Sequence, residues 1–289
     1  MSSPAGARVV DVRYGRYDGE RRGRPAAVLA LARSSALFAL GKRRGWLAKA
    51  LPIGLAVVAF MPAFVVLGVR ALFANRIRAD LSEVLPYRGY FSMISVVMLA
   101  FSTLVAPELV CPDRRDRVLD LYFSTAVSRV EYVAAKILAA LAPMAIVTLC
   151  PVLFLYAGNV LFAVHPLGYF EAHAGDLVRV LAAGVEIALY YALLSLAVAS
   201  LTNRASFAIG GYLGLMVLSG AAASLLVDGL GAGQGFSVLA QPFVPIAVAQ
   251  KLFRDTPHFE PGWAGWSAMW AAVCLASLAV LAVRYRRRE

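Results

Sequence analysis

The fold is decided by the stretch FSMISVVMLAFSTLVAP (91–107), ELVCPDRRDRVLDLYFSTAVSRVEYVAAK (108–136) and ILAALAPMAIVTLCPVLFLYAGNVLFAV (137–164). Its outer two parts contain no Asp, Glu, Lys or Arg, whereas the middle part is rich in both acids and bases. An apolar helix of about 20 residues is long enough to cross the ~30 Å hydrocarbon core of a bilayer. The stretch therefore predicts two membrane spans joined by a charged segment.

The composition extends this interpretation to the whole chain. Hydrophobic residues make up 61% of the 289, charged residues make up 16%, and the mean hydropathy is +0.72. A soluble domain is roughly 45–50% apolar and ~25% charged. We therefore predict an all-α, polytopic helical membrane protein. Its six spans are expected at about 50–69, 91–107, within 137–164 with an end near Asn159, 180–201, 205–227 and 263–283.

The distribution of Lys and Arg predicts the orientation of these spans. With both termini in the cytoplasm, 21 of the 28 Lys and Arg residues fall in cytoplasmic segments and 7 fall outside. Cytoplasmic loops of membrane proteins carry such an excess. We therefore expect a multi-pass protein of the cell membrane with both termini cytoplasmic. The net charge of +11 is then explained without a nucleic-acid partner.

The first 25 residues are basic and rich in Gly, Ser and Pro, which predicts a disordered arm. The arm can serve only as a topology determinant, or it can bind anionic membrane lipid. Residues 26–289 are predicted to form a single transmembrane domain. Its first apolar block, 26–41, is too short to span comfortably, so we expect a helix lying in the inner interface.

No motif in the sequence indicates an enzyme. A Gly-x-x-x-x-Gly-Lys-Ser/Thr loop is missing, so the chain has no P-loop for nucleotide phosphates. The three cysteines have no metal-like spacing, and no catalytic cluster stands out. We expect no catalytic residue, no metal and no cofactor bound by this chain. Its energy would come from a separate polypeptide or from an ion gradient.

The charged segment predicts a helix that begins after Pro112. Val118, Leu121 and Tyr122 recur at helical spacing as an apolar strip, and alternating acids and bases cover the remaining surface. A short amphipathic helix of this kind is typical of elements that dock in a groove of another protein. The alternative is a solvated loop helix with ordinary interfacial charges.

The order of these elements resembles the membrane subunit (permease) of type-2 ATP-binding-cassette exporters. The resemblance rests on an acidic residue closing the second span, a charged helix ending in Leu, then Ser-Arg, and a Lys opening the third span. It implies a coupling helix over Asp113–Phe123 that contacts a separate ATPase subunit, which binds ATP and Mg²⁺. The ATPase-coupling residues implied are Glu108, Asp113, Arg114, Arg115, Leu119, Leu121, Tyr122, Ser128 and Arg129, with Lys136 opening the third span. The chain departs from the family pattern at Asp116, where Gly is common, and at Ala126-Val127, where Pro is common.

Two further features fit a transport protein. The segment 229–260 combines a Gly-rich turn with an apolar run broken by Pro242 and Pro245, which predicts a re-entrant insertion at the outer face or a loop lying on lipid. Glu186 is the one carboxylate deep in a predicted span. Such a charge is costly in lipid, so Glu186 is a substrate-pathway candidate. A neutral or paired role in helix packing, or a shallow hydrated position, is the alternative.

The sequence therefore predicts the permease subunit of an export system, forming half of a translocation pathway. A second copy or a paralogue would complete the pathway, and ATP-driven closure of the ATPases would re-angle the first, second and fifth spans. The alternative is a gradient-driven secondary transporter that uses Glu186. The apolar spans suit multidrug or lipid efflux, but they do not identify the cargo.

Overall fold

The computed structural model describes residues 23–42, 45–73, 87–124, 127–163, 165–253 and 262–286. These residues form helices and turns, with no β-strand among them. Six of the helices are long and apolar enough to cross a membrane, and they overlap all six predicted spans. The α-helices are α1 (Arg24–Ala39), α2 (Trp46–Phe73), α3 (Tyr87–Arg115), α4 (Leu119–Phe123), α5 (Arg129–Leu161), α6 (Pro166–Ser200), α7 (Ala205–Ser224), α8 (Val244–Leu252) and α9 (Trp263–Arg286).

Two spanning helices are longer than their apolar runs. Helix α3 continues past the predicted end at Pro107 as far as Arg115, with Pro107 and Pro112 inside it. A proline inside a helix bundle is tolerated because neighbouring helices compensate for the freed backbone carbonyl. Helix α6 begins at Pro166 rather than near Val180, because Pro is well suited to the first helical position and the polar residues that follow continue the helix.

Helix α6 forms the centre of the bundle. It packs against α3, α5 and α9, and most of the residues in its second half are buried. Gly184 of α6 allows a close approach to α5, because a Cβ at this position would overlap the side chain of Leu149. In the same contact the Thr148 hydroxyl donates to the carbonyl oxygen of Gly184 at 3.1 Å. By contrast, α2 and α7 leave much of their apolar surface uncovered.

The bundle has two different ends. We call the end formed by the last turns of α3, α6 and α9 the charged end, and the opposite one the far end. At the far end, Arg70 of α2 donates to the Asn159 side-chain oxygen at 2.5 Å. The Asn159 amide nitrogen donates in turn to the Tyr87 hydroxyl at 3.0 Å. These contacts join α2, α3 and α5.

The structure corrects the prediction of a single coupling helix over Asp113–Phe123. Residues 113–115 are the last turn of α3, residues 116–118 form a turn, and α4 is a separate short helix. Arg117 has a φ of 54°, and the Val118 amide donates to the Asp113 carbonyl at 3.1 Å. This is the hydrogen bond that closes a helix at a left-handed residue, a position that usually belongs to Gly. The apolar strip of Val118, Leu121 and Tyr122 therefore does not lie on one continuous helix with Asp113.

Helix α1 covers most of the predicted interfacial helix 26–41 and packs against α3 and α5. It ends in a turn at Gly41, whose φ is 88°. The predicted arm lies almost entirely outside the described residues, which begin at Gly23.

The predicted insertion contains a 3₁₀ helix at Gln234–Leu239 and α8, and a π-helical turn at Leu225–Gly229 leads into it. Its last part, 254–260, also lies outside the described residues.

Replacing Arg117 with Gly is expected to stabilise the protein by about 1 kcal/mol, because Gly adopts a left-handed conformation without a steric penalty. Thermal unfolding of the purified protein in detergent measures the change. Arg115→Gly is the matched control, since Arg115 lies in the last turn of α3 and should lose stability on the same change. Equal losses in both variants would contradict the left-handed turn.

Candidate functional site

A buried ion pair lies at the centre of the charged end. Lys136 of α5 places its Nζ atom 2.8 Å from Oδ2 of Asp113 in the last turn of α3. The Lys136 side chain is 7% exposed and that of Asp113 is 15% exposed, so both charges are largely removed from water. A pair in this environment is stable only when further hydrogen bonds satisfy its remaining donors and acceptors.

Two neutral residues supply those hydrogen bonds. The Tyr132 hydroxyl donates to Oδ2 of Asp113 at 2.8 Å, and Lys136 Nζ donates to the Ser35 hydroxyl of α1 at 3.0 Å. The ammonium group also lies 5.4 Å from the centre of the Tyr132 ring, within cation–π range. Through these contacts one ion pair connects α1, α3 and α5.

Arg114 extends the connection to α6. Its side chain is buried, and its guanidinium donates to the carbonyl oxygens of Ser200 and of Thr202, the latter at 3.4 Å. Arg284 of α9 also donates to the Ser200 carbonyl, at 3.3 Å. These carbonyls lie at the C-terminal end of α6, where the helix dipole favours positive charge. Arg114 and Arg284 therefore fix the end of the central helix.

The short helix α4 packs through aromatic rings against Tyr132 of α5. The rings of Tyr122 and Phe123 each lie 5.8 Å from that of Tyr132, and Tyr285 of α9 lies 5.3 Å from the same ring. Aromatic pairs at this spacing contribute free energy of stabilisation in addition to that of burying their apolar surface. The position of α4 is therefore coupled to α5 and α9.

The start of α5 is fixed by its own capping interactions. Ser128 and Glu131 form a capping box, in which each side chain accepts a hydrogen bond from the other residue's backbone amide. Arg129 donates to the carbonyl of Arg286 at 3.0 Å and lies over the ring of Phe123. The predicted Ser-Arg pair thus anchors α5 to α4 and to the end of α9.

Three charged residues form the exposed part of the charged end. Arg115, Asp116 and Arg117, which we call the charged turn, are all exposed at the junction of α3 and α4. Arg115 Nε donates to Asp116 Oδ1 at 2.9 Å, and this bond holds the pKa of the Asp116 carboxyl below its usual range. Asp116 therefore stays ionised at neutral pH, and the turn presents both signs of charge to the solvent.

A groove of about 450 Å³ separates the charged turn from α1. Its lining includes the half-buried Glu108 and the exposed charged residues Asp116 and Lys42. Apolar contributions come from Phe38 and Val118. The groove is large enough to receive side chains of another protein beside the turn.

The sequence-predicted coupling residues differ in how far the structure buries them. Asp113, Arg114 and Leu119 are wholly or largely buried and contact the protein's own helices. Arg115 and Ser128 are exposed, whereas Glu108, Tyr122 and Arg129 are half-buried. The Leu121 side chain lies outside the described residues. The buried members support the charged end, and the exposed ones are the part that can reach a partner.

Sequence reasoning missed the residues that surround the ion pair. Ser35, Tyr132, Tyr285 and Arg284 come from three different helices and meet only in the folded protein. The spacing of Tyr132 and Lys136, four residues apart on α5, was the one local signal that both could face the same neighbour. Nothing around Ser35 indicates its role.

Glu186 lies apart from the charged end, within α6. Part of its stem is exposed, but both carboxylate oxygens are buried and have no hydrogen-bond partner among the described residues. The carboxylate is within electrostatic range of Tyr191 and of Cys274 in α9. The predicted shallow position assumed a span beginning at Val180, whereas α6 begins at Pro166.

The contact between Ser200 of α6 and Arg284 of α9 gives a reference level for the depth of Glu186 in the bundle. Fourteen residues separate Glu186 from Ser200 along α6, which corresponds to about 21 Å of helix. Trp270 lies the same number of residues before Arg284 on the parallel helix α9, and its buried indole nitrogen also has no hydrogen-bond partner in the described part of the chain. Two unpaired polar groups, one an acceptor and one a donor, therefore occur at a similar level of neighbouring helices.

Comparison with known proteins adds no family to this description. No protein-family model matches the chain, and no curated protein matches it. Within the described residues, no group of three or more His, Cys, Asp or Glu side chains is arranged to hold a metal ion.

Replacing Lys136 with Met is expected to destabilise the protein by about 3 kcal/mol, because the Asp113 carboxylate would stay buried without its counter-ion. The double variant Lys136→Met with Asp113→Asn should recover part of this loss, since no unpaired charge then remains. Thermal unfolding of the four proteins of this double-mutant cycle measures the coupling. Arg115→Ala breaks only an exposed ion pair and is the control, with no measurable loss expected. Additive effects of the two substitutions would contradict the role assigned to the pair.

Proposed function

We propose that this chain is the permease subunit of an ATP-binding-cassette export system. It forms half of a translocation pathway and binds a separate ATPase subunit at the charged end. In this proposal both termini lie in the cytoplasm, α1 lies in the inner membrane interface, and α4 with the charged turn is the coupling element. The chain itself hydrolyses nothing, because ATP and Mg²⁺ bind to the partner.

One observation carries the proposal. The charged turn is exposed and continues directly from the spanning helix α3, while the residues on either side of it are tied to the rest of the bundle. Asp113 connects the turn to α5 and α1, and Arg114 connects it to α6. A solvated loop helix, the alternative considered from the sequence, requires no such buried connections.

The mechanism follows from these connections. A partner that pushes on the charged turn would move the end of α3, and the ion pair would pass that displacement to α5. Arg114 would pass it to the end of α6, because the guanidinium is bonded to carbonyls there. Rigid connections of this kind transmit force as movements of whole helices. Alternating access would result when such movements open the far end.

A second permease copy or a paralogue is part of the proposal. Helices α2 and α7 each expose apolar side chains along much of their length, among them Val57, Phe64, Val217 and Leu218. Membrane lipid can cover these surfaces, and so can the same surfaces of another subunit. A closed symmetric pair would complete a pathway for which one six-span chain supplies half.

Arg115→Glu is expected to weaken binding of the ATPase about tenfold, because it reverses a charge on the exposed turn without removing a buried contact. The tagged chain is purified from its own host in mild detergent, and the co-purified proteins are quantified by mass spectrometry. Arg179→Glu is the matched control, since Arg179 also pairs with a nearby carboxylate but lies on α6 away from the charged end.

The expected result is a stoichiometric P-loop ATPase with the wild type and with Arg179→Glu, and a strongly reduced amount of that ATPase with Arg115→Glu. Thermal unfolding confirms that each variant is folded. If the wild-type chain carries no ATPase, or if both variants keep it equally, the coupling role must be abandoned.

A second function, gradient-driven transport, is favoured by Glu186. Its two carboxylate oxygens are buried without hydrogen-bond partners among the described residues, and such a group is a candidate for carrying a proton through a membrane. This candidate requires no ATPase. It ranks second because the charged end, with its exposed turn, would then have no role in transport.

In proteoliposomes that contain only this chain, the second function predicts uptake or efflux of a fluorescent amphipathic cation such as berberine when a pH gradient is imposed. Glu186→Gln should abolish that flux, since the amide has a similar shape but cannot carry a proton. Glu171→Gln, at an exposed position of the same helix, is the control. If no flux depends on the gradient, or if Glu186→Gln retains it, the second function is excluded.

A further inference from the structure

The far end of the bundle contains a cavity of about 370 Å³. Its walls come from the start of α3, the end of α7, the π-helical turn Leu225–Gly229, helix α8 and the start of α9. Sites for small molecules fall in this size range and are mostly apolar, with a few polar groups that orient the ligand. Ala223, Phe243 and Ile246 supply apolar wall, whereas Ser92 and Gln250 supply polar groups.

Trp266 provides the main evidence that this cavity is built for a ligand. This residue lines the cavity and is 3% exposed, and its indole nitrogen has no hydrogen-bond partner among the described residues. Indole N–H is a donor only, so the missing partner must be an acceptor. Buried donors in folded proteins are nearly always satisfied, and a ligand with an acceptor atom would satisfy this one.

The π-helical turn gives independent support. Helix α7 passes directly into the turn, where the Leu230 amide donates to the Leu225 carbonyl at 2.9 Å. Val227 and Asp228 of this turn both line the cavity. A π-helical turn inside or at the end of an α-helix is rare and is found mostly at functional sites, because it displaces side chains from the regular helical surface.

The charge of the lining indicates the class of ligand. Of the described residues that line the cavity, Asp228 alone carries a charge, and it is exposed. A cation at the mouth would be favoured and an anion disfavoured, while the apolar walls would contact a hydrophobic body. The ligand that fits these features is compact, amphipathic and positively charged, and it carries a hydrogen-bond acceptor.

We propose that this cavity is a binding site for a compact amphipathic cation whose acceptor atom meets the indole N–H of Trp266 and whose charge faces Asp228. Binding itself needs no ATPase. That the bound molecule belongs to the class of exported cargo rests on the proposed function. The site would then hold cargo near the far end of the pathway.

The test uses the purified full-length chain in lipid nanodiscs, without any ATPase, and berberine as the probe. Berberine is a flat cation with ether oxygens, and its fluorescence rises in an apolar environment. An anilinonaphthalene sulfonate of similar size, which carries a negative charge, is the comparison probe. Empty nanodiscs measure partitioning into lipid, which is subtracted.

Saturable berberine binding is expected with the wild type, and weaker binding or none is expected for the sulfonate. Trp266→Phe should weaken berberine binding about tenfold, because it removes the unpaired indole donor while keeping an aromatic ring. Trp263→Phe is its control, since Trp263 lies one turn away on α9 and is half exposed. Asp228→Asn should reduce the preference for the cation over the anion.

A second pair of variants guards against misfolding. Gly220 lines the cavity, and a Cβ there meets no atom within 4 Å, so Gly220→Leu should fill the cavity and abolish binding. Gly214 on the same helix also has open space around it but does not line the cavity, so Gly214→Leu should bind normally. The proposal is wrong if wild-type binding does not saturate, or if Gly220→Leu and Trp266→Phe bind as their controls do.

The same proteins separate this inference from the proposed function. Gly220→Leu should still co-purify with the ATPase, and Arg115→Glu should still bind berberine. If the wild-type chain binds berberine but carries no ATPase, only the coupling role is contradicted. If the wild-type chain carries the ATPase but shows no saturable berberine binding, only the binding site in the cavity is contradicted.

Discussion

The structure of the charged end depends on the ion pair between Asp113 and Lys136. Taking these two charges out of water costs free energy that their mutual attraction alone does not always recover. Two hydroxyls stabilise the pair further. The Tyr132 hydroxyl donates to the Asp113 carboxylate, and the Ser35 hydroxyl accepts from the Lys136 ammonium. The pair is therefore favourable only when α1, α3 and α5 are in one particular arrangement. Arg114, the neighbour of Asp113, donates to backbone carbonyls at the end of α6, so the position of α6 is fixed relative to the same three helices.

The far end contains more irregular backbone than the charged end does. Its irregular segments include a π-helical turn, a 3₁₀ helix and two glycines with positive φ, Gly231 and Gly233. Hydrogen bonds from Tyr190 to the Gln241 side chain and from Tyr191 to the Pro242 carbonyl attach this region to α6. Regions with few regular hydrogen bonds open at lower free energy than packed helices do. A displacement applied at the charged end would therefore be accommodated mainly at the far end.

The sequence predicted the six spanning helices because long uncharged runs have few alternatives to membrane helices. It predicted the wrong form for 113–123, because the helix is broken at Arg117, and a left-handed residue leaves a sequence signal only when it is Gly or Asn. It also ended the second span at Pro107, where the charged residue Glu108 follows, whereas the helix continues to Arg115 because a charged residue does not by itself end a helix. The sequence singled out the predicted coupling residues as a group, but their division into buried and exposed members depends on tertiary contacts. The cavity around Trp266 arises from segments distant in sequence, and no local pattern indicates it.

Unpaired polar groups are distributed unevenly along the bundle. Buried side-chain atoms without a partner occur, among the described residues, at Glu186, Trp266 and Trp270, and none of these three residues belongs to the charged end. Each such group lowers stability, so an arrangement that keeps several of them together needs a compensating reason. A molecule that enters from the middle or the far end of the bundle would supply the missing partners. Under the proposed function, the two ends would therefore have different tasks: the charged end would receive force, and the part of the bundle with unpaired groups would contact the molecule that is moved.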